Sequence, residues 1–149
     1  MQHGEAAPEE VDPARPLTPR GREEVARVAR MARKMGVRAE RILHSGKLRA
    51  LETAEILARE LGSSAKVTQT DGLAPKDDPR QALQTIESSN ENLILVGHLP
   101  HLSRLAGLLL VGDPNREIVA FRMGALVALA RESGSGWRLR WIIPPEAGG

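Results

Sequence analysis

The chain has 149 residues, of which 41% are hydrophobic and 27% charged, enough apolar material for the core of one domain over residues 1–149. It has no cysteine, which excludes disulfide frameworks, thiolate metal sites and cysteine nucleophiles, and its net charge of +2 is too small for an electrostatic grip on nucleic acid. No apolar run approaches the roughly 18 residues of a membrane helix and no signal-peptide core is present, so we expect a cytoplasmic protein with neither a membrane nor a nucleic-acid partner.

Helical periodicity and short apolar runs alternate along the chain, which indicates an α/β domain. Thr18 followed by Pro19 predicts the start of the first helix, and Ser45 is expected to cap the second. The aliphatic run 92–97 is typical of a parallel strand buried on both faces. The predicted helices are 19–35, 48–61, 79–88 and 99–109, and the predicted strands are 41–43, a short one at Val67, 92–97, 118–121, 125–130 and 137–143, the last two joined by a hairpin turn at 132–136.

Polar side chains lie at the carboxyl ends of the predicted strands, where ligands of open α/β sheets bind. These positions are 2–4, 44–49 and 97–98, with Arg15 in a nearby loop. A single histidine at such a place is usually a hydrogen-bonded structural residue, and a single arginine is usually solvated. Two histidines, His3 and His98, together with Arg15, Arg49 and free backbone amides would instead form a pocket for a tetrahedral oxyanion.

Metal and serine chemistry have weaker support in the sequence. His98 and His101 are three residues apart, a spacing that can place two zinc ligands on one helix face, but no third ligand lies nearby. The chain contains no G-x-S-x-G elbow, no P-loop and no G-x-G-x-x-G motif. We therefore expect neither a metal nor a cofactor.

Four blocks of the sequence carry a family resemblance. They are Met1-Gln2-His3-Gly4-Glu5-Ala6, then Arg15-Pro16-Leu17-Thr18 with Gly21, then Ser45-Gly46-Lys47-Leu48-Arg49-Ala50 with Thr53-Ala54, and finally Val96-Gly97-His98-Leu99-Pro100-His101. In this order and spacing they resemble the histidine phosphatase superfamily, the phosphoglycerate mutase-like proteins, and most closely its small SixA-type phosphohistidine phosphatases. The resemblance implies a three-layer α/β/α sandwich with a mainly parallel central sheet, and a phosphatase that works without a metal.

The resemblance also implies roles for residues in these blocks. His3 would attack phosphorus as a neutral imidazole and become a phosphohistidine, while His98 and Arg49 would bind the equatorial phosphoryl oxygens. The further phosphate-binding positions would be Gln2, Gly4, Arg15, Ser45 and Gly97. His44 is expected at the rim of the site, and His101 behind the site or at the surface.

Two departures from the family pattern concern the residues in front of His3. The family usually has arginine where this chain has Gln2, and exchanging a charge-assisted hydrogen bond for a neutral one predicts a loss of roughly tenfold in transition-state stabilisation. Only Met1 and Gln2 precede His3, whereas the family usually has a complete apolar strand there. We therefore expect a truncated or rearranged first strand and an impaired enzyme.

The loop at residues 71–75 bears on the substrate. Relatives that cleave phosphate esters place a carboxylic acid in this loop to protonate an alkoxide leaving group, but Gly72 occupies that register and the candidate acid Asp71 lies one residue away. A nitrogen leaving group is protonated easily, so the sequence favours phosphohistidine on a protein as the substrate. The alternatives are a small-molecule phosphomonoesterase and a catalytically weak phosphate-binding protein.

Overall fold

The computed structural model describes residues 1–62, 64–134 and 136–148, and within them it contains four helices and five strands. In chain order these are α1 (Pro19–Lys34), β1 (Arg41–His44), α2 (Leu48–Leu61), β2 (Lys66–Gln69), α3 (Pro79–Glu87), β3 (Leu93–Val96), α4 (His101–Val111), β4 (Leu126–Glu132) and β5 (Gly136–Ile143). None of these helices has both the length and the apolar character that crossing a membrane would require.

A parallel sheet in the order β2-β1-β3 forms the middle layer. Alternate residues of its strands point to opposite faces, so Ile42, Ile94 and Val96 pack in one core with α1 and α2. Leu43 and Leu95 lie on the other face, in a second core that includes residues of α3 and α4. This arrangement confirms the predicted α/β/α sandwich with a mainly parallel sheet.

The last two strands, β4 and β5, pair antiparallel as a separate hairpin. Leu126 and Ile143 of the hairpin join the core formed by α1 and α2. The turn predicted at 132–136 falls between these strands, although its residue Ser135 lies outside the described residues. The strand predicted at 118–121 was wrong, because this segment has no ladder partner among the described strands. The segment is apolar because Val119 is buried, with 2% of its surface exposed, and not because it pairs in a sheet.

The segment in front of His3 is short but ordered by the sheet. Gln2 forms a parallel bridge with Gly97, the residue that follows β3. The Gly97 amide donates to the Met1 carbonyl at 3.0 Å, and the His3 amide donates to the Gly97 carbonyl at 3.1 Å. On the opposite side, the Gly124 amide donates to the carbonyls of Gln2 and His3 at 3.1 and 3.2 Å. The residues in front of His3 are therefore held between β3 and the start of the hairpin by a single bridge and these backbone hydrogen bonds.

The first two helices begin in different ways. The Thr18 hydroxyl accepts from the Gly21 amide at 2.9 Å and caps α1, as predicted. The cap predicted at Ser45 was wrong, since α2 starts after Lys47 and has no side-chain cap. Gly46 adopts a positive φ of 91° and extends the turn between β1 and α2, which leaves Ser45 too early to cap the helix. Its hydroxyl is used by the candidate site instead.

Candidate active site

The candidate residues meet at the carboxyl end of the parallel sheet. The rings of His3 and His98 lie 5.1 Å apart between centroids and are inclined at 51°. Ser45, which follows β1, brings its hydroxyl oxygen within 2.6 Å of Nε2 of His98, which follows β3. Arg49 enters from the first turn of α2. The three segments that the sequence analysis brought together by their strand-end positions are thus adjacent in the structure.

His3 is buried, with 6% of its surface exposed, and its ring has a defined orientation. Its Nδ1 lies 2.7 Å from the Gly4 carbonyl oxygen, which can only accept, so Nδ1 carries the proton. Burial lowers the pKa of His3 to about 4, and the charges of Arg49 and Arg15 add to that effect. At neutral pH the imidazole is therefore uncharged, and the lone pair of Nε2 is available as a nucleophile.

His98 is also neutral at physiological pH. It is 2% exposed, and burial, followed by the charges of His3, Arg49 and Lys47, lowers its pKa to about 3. Its buried Nδ1 has no hydrogen-bond partner among the described residues. With Nε2 bound to Ser45, the ring is a fixed polar group that faces His3 across the site.

Two arginines concentrate positive charge beside these rings. The buried Nε of Arg49 has no hydrogen-bond partner among the described residues, and the pKa of Arg49 is lowered by burial and then by the charge of Arg15. Arg15 has a left-handed backbone with φ of 52°, and its Nε donates to the Ala7 carbonyl at 3.1 Å. Neither guanidinium forms an ion pair with a described carboxylate. An anion bound here would reduce the repulsion between the two guanidinium groups and would accept hydrogen bonds from them.

Gly4 and Gly97 lie at the site, but their amides are used inside the protein. The Gly4 amide donates to the Thr53 hydroxyl at 3.1 Å, and the Gly97 amide donates to the Met1 carbonyl. A Cβ on Gly4 would come within 2.7 Å of Val25 Cγ2, so this glycine is needed for close approach to α1. The packing requirement applies to Gly4, and the phosphate-binding role expected of Gly4 and Gly97 stays a prediction.

Thr53 is a residue whose role the sequence analysis did not identify. Its hydroxyl accepts from Gly4 and donates to the Arg49 carbonyl at 2.8 Å, so it links the backbone beside His3 to the helix that carries Arg49. The available signal was its spacing, because Thr53 follows Arg49 by four residues and so lies on the same helix face.

Gln2 and Asp71 have less definite places. Oε1 of Gln2 is buried and has no hydrogen-bond partner among the described residues. Asp71 is exposed in a turn after β2, and no hydrogen bond or ion pair within the described part of the chain joins it to the other candidates. Its proposed role as a general acid therefore remains a prediction.

The other two histidines are structural. His101 was expected behind the site or at the surface, and the structure buries it completely at the start of α4. His44 is 5% exposed, and its Nδ1 accepts from the Gly46 amide at 3.1 Å, which places it within the turn rather than at an open rim. Among the described residues there is no group of three His, Asp or Glu side chains that could hold a metal ion.

Acid should destabilise the protein below about pH 6.5. The folded protein holds His3 and His98 at pKa values of about 4 and 3, so the unfolded chain, with histidines near 6.5, binds more protons as the pH falls. We expect the free energy of unfolding to drop by about 2 kcal/mol between pH 7 and pH 5, after allowance for screening by solvent. Urea unfolding at both pH values measures the free energy of unfolding. In His3→Gln this free energy should fall less between pH 7 and pH 5. Equal stability at pH 7 and pH 5 would contradict the burial of neutral histidines.

The chain is similar in sequence and structure to known proteins. The sequence profile of the Histidine phosphatase superfamily (branch 1) matches residues 3–75. An uncharacterized protein of Picosynechococcus sp. is 34% identical over 148 residues, which cover 89% of this chain and 88% of that protein. The structure of the protein histidine phosphatase SixA complexed with tungstate matches with a TM-score of 0.81 and 28% identity, covering 97% of this chain and 94% of that chain. The alpha-ribazole phosphatase of Shigella flexneri shares the fold, with a TM-score of 0.77, 17% identity and coverage of 97% and 95%. The chain belongs to the histidine phosphatase superfamily.

Proposed function

We propose that the protein is a phosphohistidine phosphatase that forms a covalent phosphohistidine on His3. The observation that carries this proposal is the state of the His3 ring. It is neutral, its Nδ1 proton is held by the Gly4 carbonyl, and its Nε2 is free to attack beside two arginines that have no carboxylate partner among the described residues. The similarity to SixA adds a protein phosphohistidine as the substrate class.

The proposed reaction has two displacements at phosphorus. In the first, Nε2 of His3 forms a bond to phosphorus while the bond to the substrate imidazole nitrogen breaks, and the substrate imidazole leaves as a neutral ring because its other nitrogen already carries a proton. In the second, water attacks the phosphorus, the bond to His3 breaks, and inorganic phosphate leaves with the ring neutral again. In each transfer Arg49, His98 and Ser45 would bind the equatorial oxygens of the phosphoryl group, and Arg15 would add positive charge.

The leaving group separates this function from ester hydrolysis. An alkoxide needs a positioned acid to protonate it, and the candidate Asp71 is exposed and forms no hydrogen bond or ion pair with the other site residues within the described chain. A substrate imidazole can be protonated on its other ring nitrogen near neutral pH, so it leaves as a neutral group without a positioned acid. The proposal therefore favours cleavage of a phosphorus–nitrogen bond.

A comparison of two substrates tests the proposal. We expect kcat/KM for a phosphohistidine peptide to exceed that for p-nitrophenyl phosphate by at least about tenfold, a difference of roughly 1.4 kcal/mol in the barrier. Asp71→Asn serves as the matched variant and should leave phosphohistidine turnover unchanged. The reverse ranking, with ester turnover lost in Asp71→Asn, would instead indicate a small-molecule phosphomonoesterase. Binding of tungstate without turnover of either substrate would indicate a phosphate-binding protein without catalysis.

Replacing Gln2 with arginine should accelerate the reaction. The amide oxygen of Gln2 is buried without a hydrogen-bond partner among the described residues, and a guanidinium at this position would offer the transferring phosphoryl group a charge-assisted hydrogen bond. We expect about a tenfold rise in kcat. Gln2→Met, of similar length but without a donor, provides the control and should not exceed the activity of the unaltered protein. A Gln2→Arg protein that is stable but no faster would refute the assumed contact.

A further inference from the structure

One face of α2 connects the three segments of the candidate site that carry Arg49, His3 and Arg15. Arg49, Glu52 and Thr53 are spaced i, i+3 and i+4, so their side chains are neighbours on the same side of the helix. Arg49 is itself a candidate phosphate ligand. The side chains of Glu52 and Thr53 instead accept hydrogen bonds from backbone amides of the other two segments.

The hydroxyl of Thr53 holds the segment of His3. Thr53 is completely buried, and its oxygen accepts from the Gly4 amide at 3.1 Å while the hydroxyl donates to the Arg49 carbonyl at 2.8 Å. The Gly4 carbonyl oxygen lies 2.7 Å from Nδ1 of His3 and accepts its proton. Both polar groups of Gly4 are therefore in use, one toward α2 and the other toward the His3 ring. A displacement of Gly4 would turn this ring relative to Arg49.

The carboxylate of Glu52 holds the loop of Arg15. Its Oε1 accepts from the Leu17 amide at 2.8 Å, and Leu17 is buried and forms an antiparallel bridge with Ala6. Arg15 lies two residues before Leu17, and the intervening proline restricts the backbone between them. Nε of Arg15 donates to the carbonyl of Ala7, beside the bridge. The place of the Arg15 guanidinium therefore depends on an amide that α2 holds.

The second oxygen of Glu52 pairs with Arg22 of α1 and not with Arg49. Opposite charges three residues apart on a helix ordinarily attract each other. Here the Leu17 amide and the Arg22 guanidinium engage both carboxylate oxygens, and the Glu52 side chain is 16% exposed. The acidic residue nearest to Arg49 along α2 thus holds the Arg15 loop, and Arg49 keeps no ion pair among the described residues.

We propose that Thr53 and Glu52 are positioning residues, which set the His3 ring and the Arg15 guanidinium in place against Arg49. The part of Thr53 rests on the nucleophilic role proposed above for His3. The polar atoms of both side chains are engaged within the protein, so the two residues act through their partners. Thr53 holds the nucleophile and should affect kcat, because a displacement of about 1 Å can slow a reaction about 10²-fold. Glu52 holds a cation and should affect the affinity for anions.

Thr53→Val and Thr53→Ser test the first contact. Valine keeps the shape of the side chain but leaves the Gly4 amide without this partner, whereas serine keeps the hydroxyl. We expect Thr53→Val to lower kcat at least about tenfold with KM within about twofold, by the same factor for a phosphohistidine peptide and for p-nitrophenyl phosphate. Thr53→Ser should stay within about threefold of the unaltered protein. Thr85→Val is the matched control and should not change kcat, because the Thr85 hydroxyl makes the same bond to the carbonyl four residues earlier but accepts from no amide of the described residues.

Glu52→Leu and Glu52→Gln test the second contact, with calorimetric titration of tungstate as the readout. Loss of a carboxylate beside cations would by itself strengthen anion binding, and both variants lose it. Glutamine keeps an oxygen for the Leu17 amide, so Glu52→Gln should bind tungstate at least as tightly as the unaltered protein. Leucine releases the Arg15 loop, and we expect Glu52→Leu to bind tungstate at least about tenfold more weakly. Glu60→Leu is the matched control on α2 and should not weaken binding, because Glu60 forms ion pairs but accepts from no amide of the described residues.

Two kinds of result would overturn the proposal. For Thr53 they are a valine variant whose kcat stays within about twofold, or a serine variant that loses as much as valine. For Glu52 they are equal or tighter binding of tungstate by Glu52→Leu, or weakening that tracks the loss of folded protein in urea unfolding. The tungstate comparison needs no turnover. If the unaltered protein hydrolysed neither substrate, the proposed phosphatase function would fail while the part of Glu52 would still be decided.

Discussion

Replacing His3 with alanine is expected to reduce phosphohistidine turnover at least about 10⁴-fold and to abolish the covalent phosphoryl group on the protein. The neutral His3 ring is oriented by the Gly4 carbonyl and lies 5.1 Å from the His98 ring, measured between centroids. Without it, water would have to attack the substrate directly, and the reaction would lose its covalent intermediate. Rapid acid-free quenching with labelled phosphohistidine peptide, followed by mass spectrometry, measures the intermediate because phosphohistidine is stable in alkali.

The control for this experiment is a second buried histidine. His44→Asn keeps an acceptor for the Gly46 amide and leaves His3 untouched, so this protein should retain the label and most of the turnover. Urea unfolding of both variants checks that they are folded. Label that persists in His3→Ala and maps to another residue would overturn the assignment of the nucleophile.

The order of the secondary structure could be predicted because local signals and burial agree in most of this chain. The aliphatic run 92–97 became β3, since a strand covered by helices on both faces needs apolar residues at every position. Thr18 caps α1 through a hydrogen bond to Gly21, which is only three residues further along the chain, so this cap depends on local sequence alone. The segment 118–121 has the same apolar character, but a strand also requires an available edge, and that is a property of the tertiary structure.

The sequence predicted which residues come together at the site, but only partly which of their polar groups are available. His3, Ser45, His98 and Arg49 follow strands or begin a helix at one edge, so topology alone brings them together. Which polar groups remain available is a different matter. The amides of Gly4 and Gly97 are occupied by Thr53 and Met1, and these partners lie far away in the sequence. Burial of His101 was likewise unpredictable, because it depends on how α4 packs and not on the residues beside it.

The arrangement of charge shows how the fold favours function over stability. Burial, and then the charge of Arg15, lowers the pKa of Arg49. A core designed only for stability would have paired these cations with carboxylates or replaced them. In the proposed reaction, two arginines without a carboxylate partner among the described residues would bind the phosphoryl group without first breaking an internal ion pair.

Arg49→Lys should therefore lower kcat/KM by about 10²- to 10³-fold while leaving the protein at least as stable. Lysine keeps the charge but loses the planar fork that binds two phosphoryl oxygens at once, an effect of roughly 3–4 kcal/mol in comparable sites. The free energy of unfolding should not fall, because Arg49 Nε makes no hydrogen bond to a described residue that the substitution could break. Steady-state kinetics and urea unfolding, measured on the same preparation, separate the two effects.

Arg59→Lys is the matched control, because it makes the same exchange on the exposed last turn of α2, where the Arg59 side chain is 65% exposed. We expect it to leave both kcat/KM and stability within experimental error. If Arg49→Lys lost activity only in proportion to a loss of folded protein, Arg49 would be a structural residue. A large fall in kcat/KM with unchanged or higher stability would instead follow from a guanidinium that the fold keeps unpaired for the phosphoryl group.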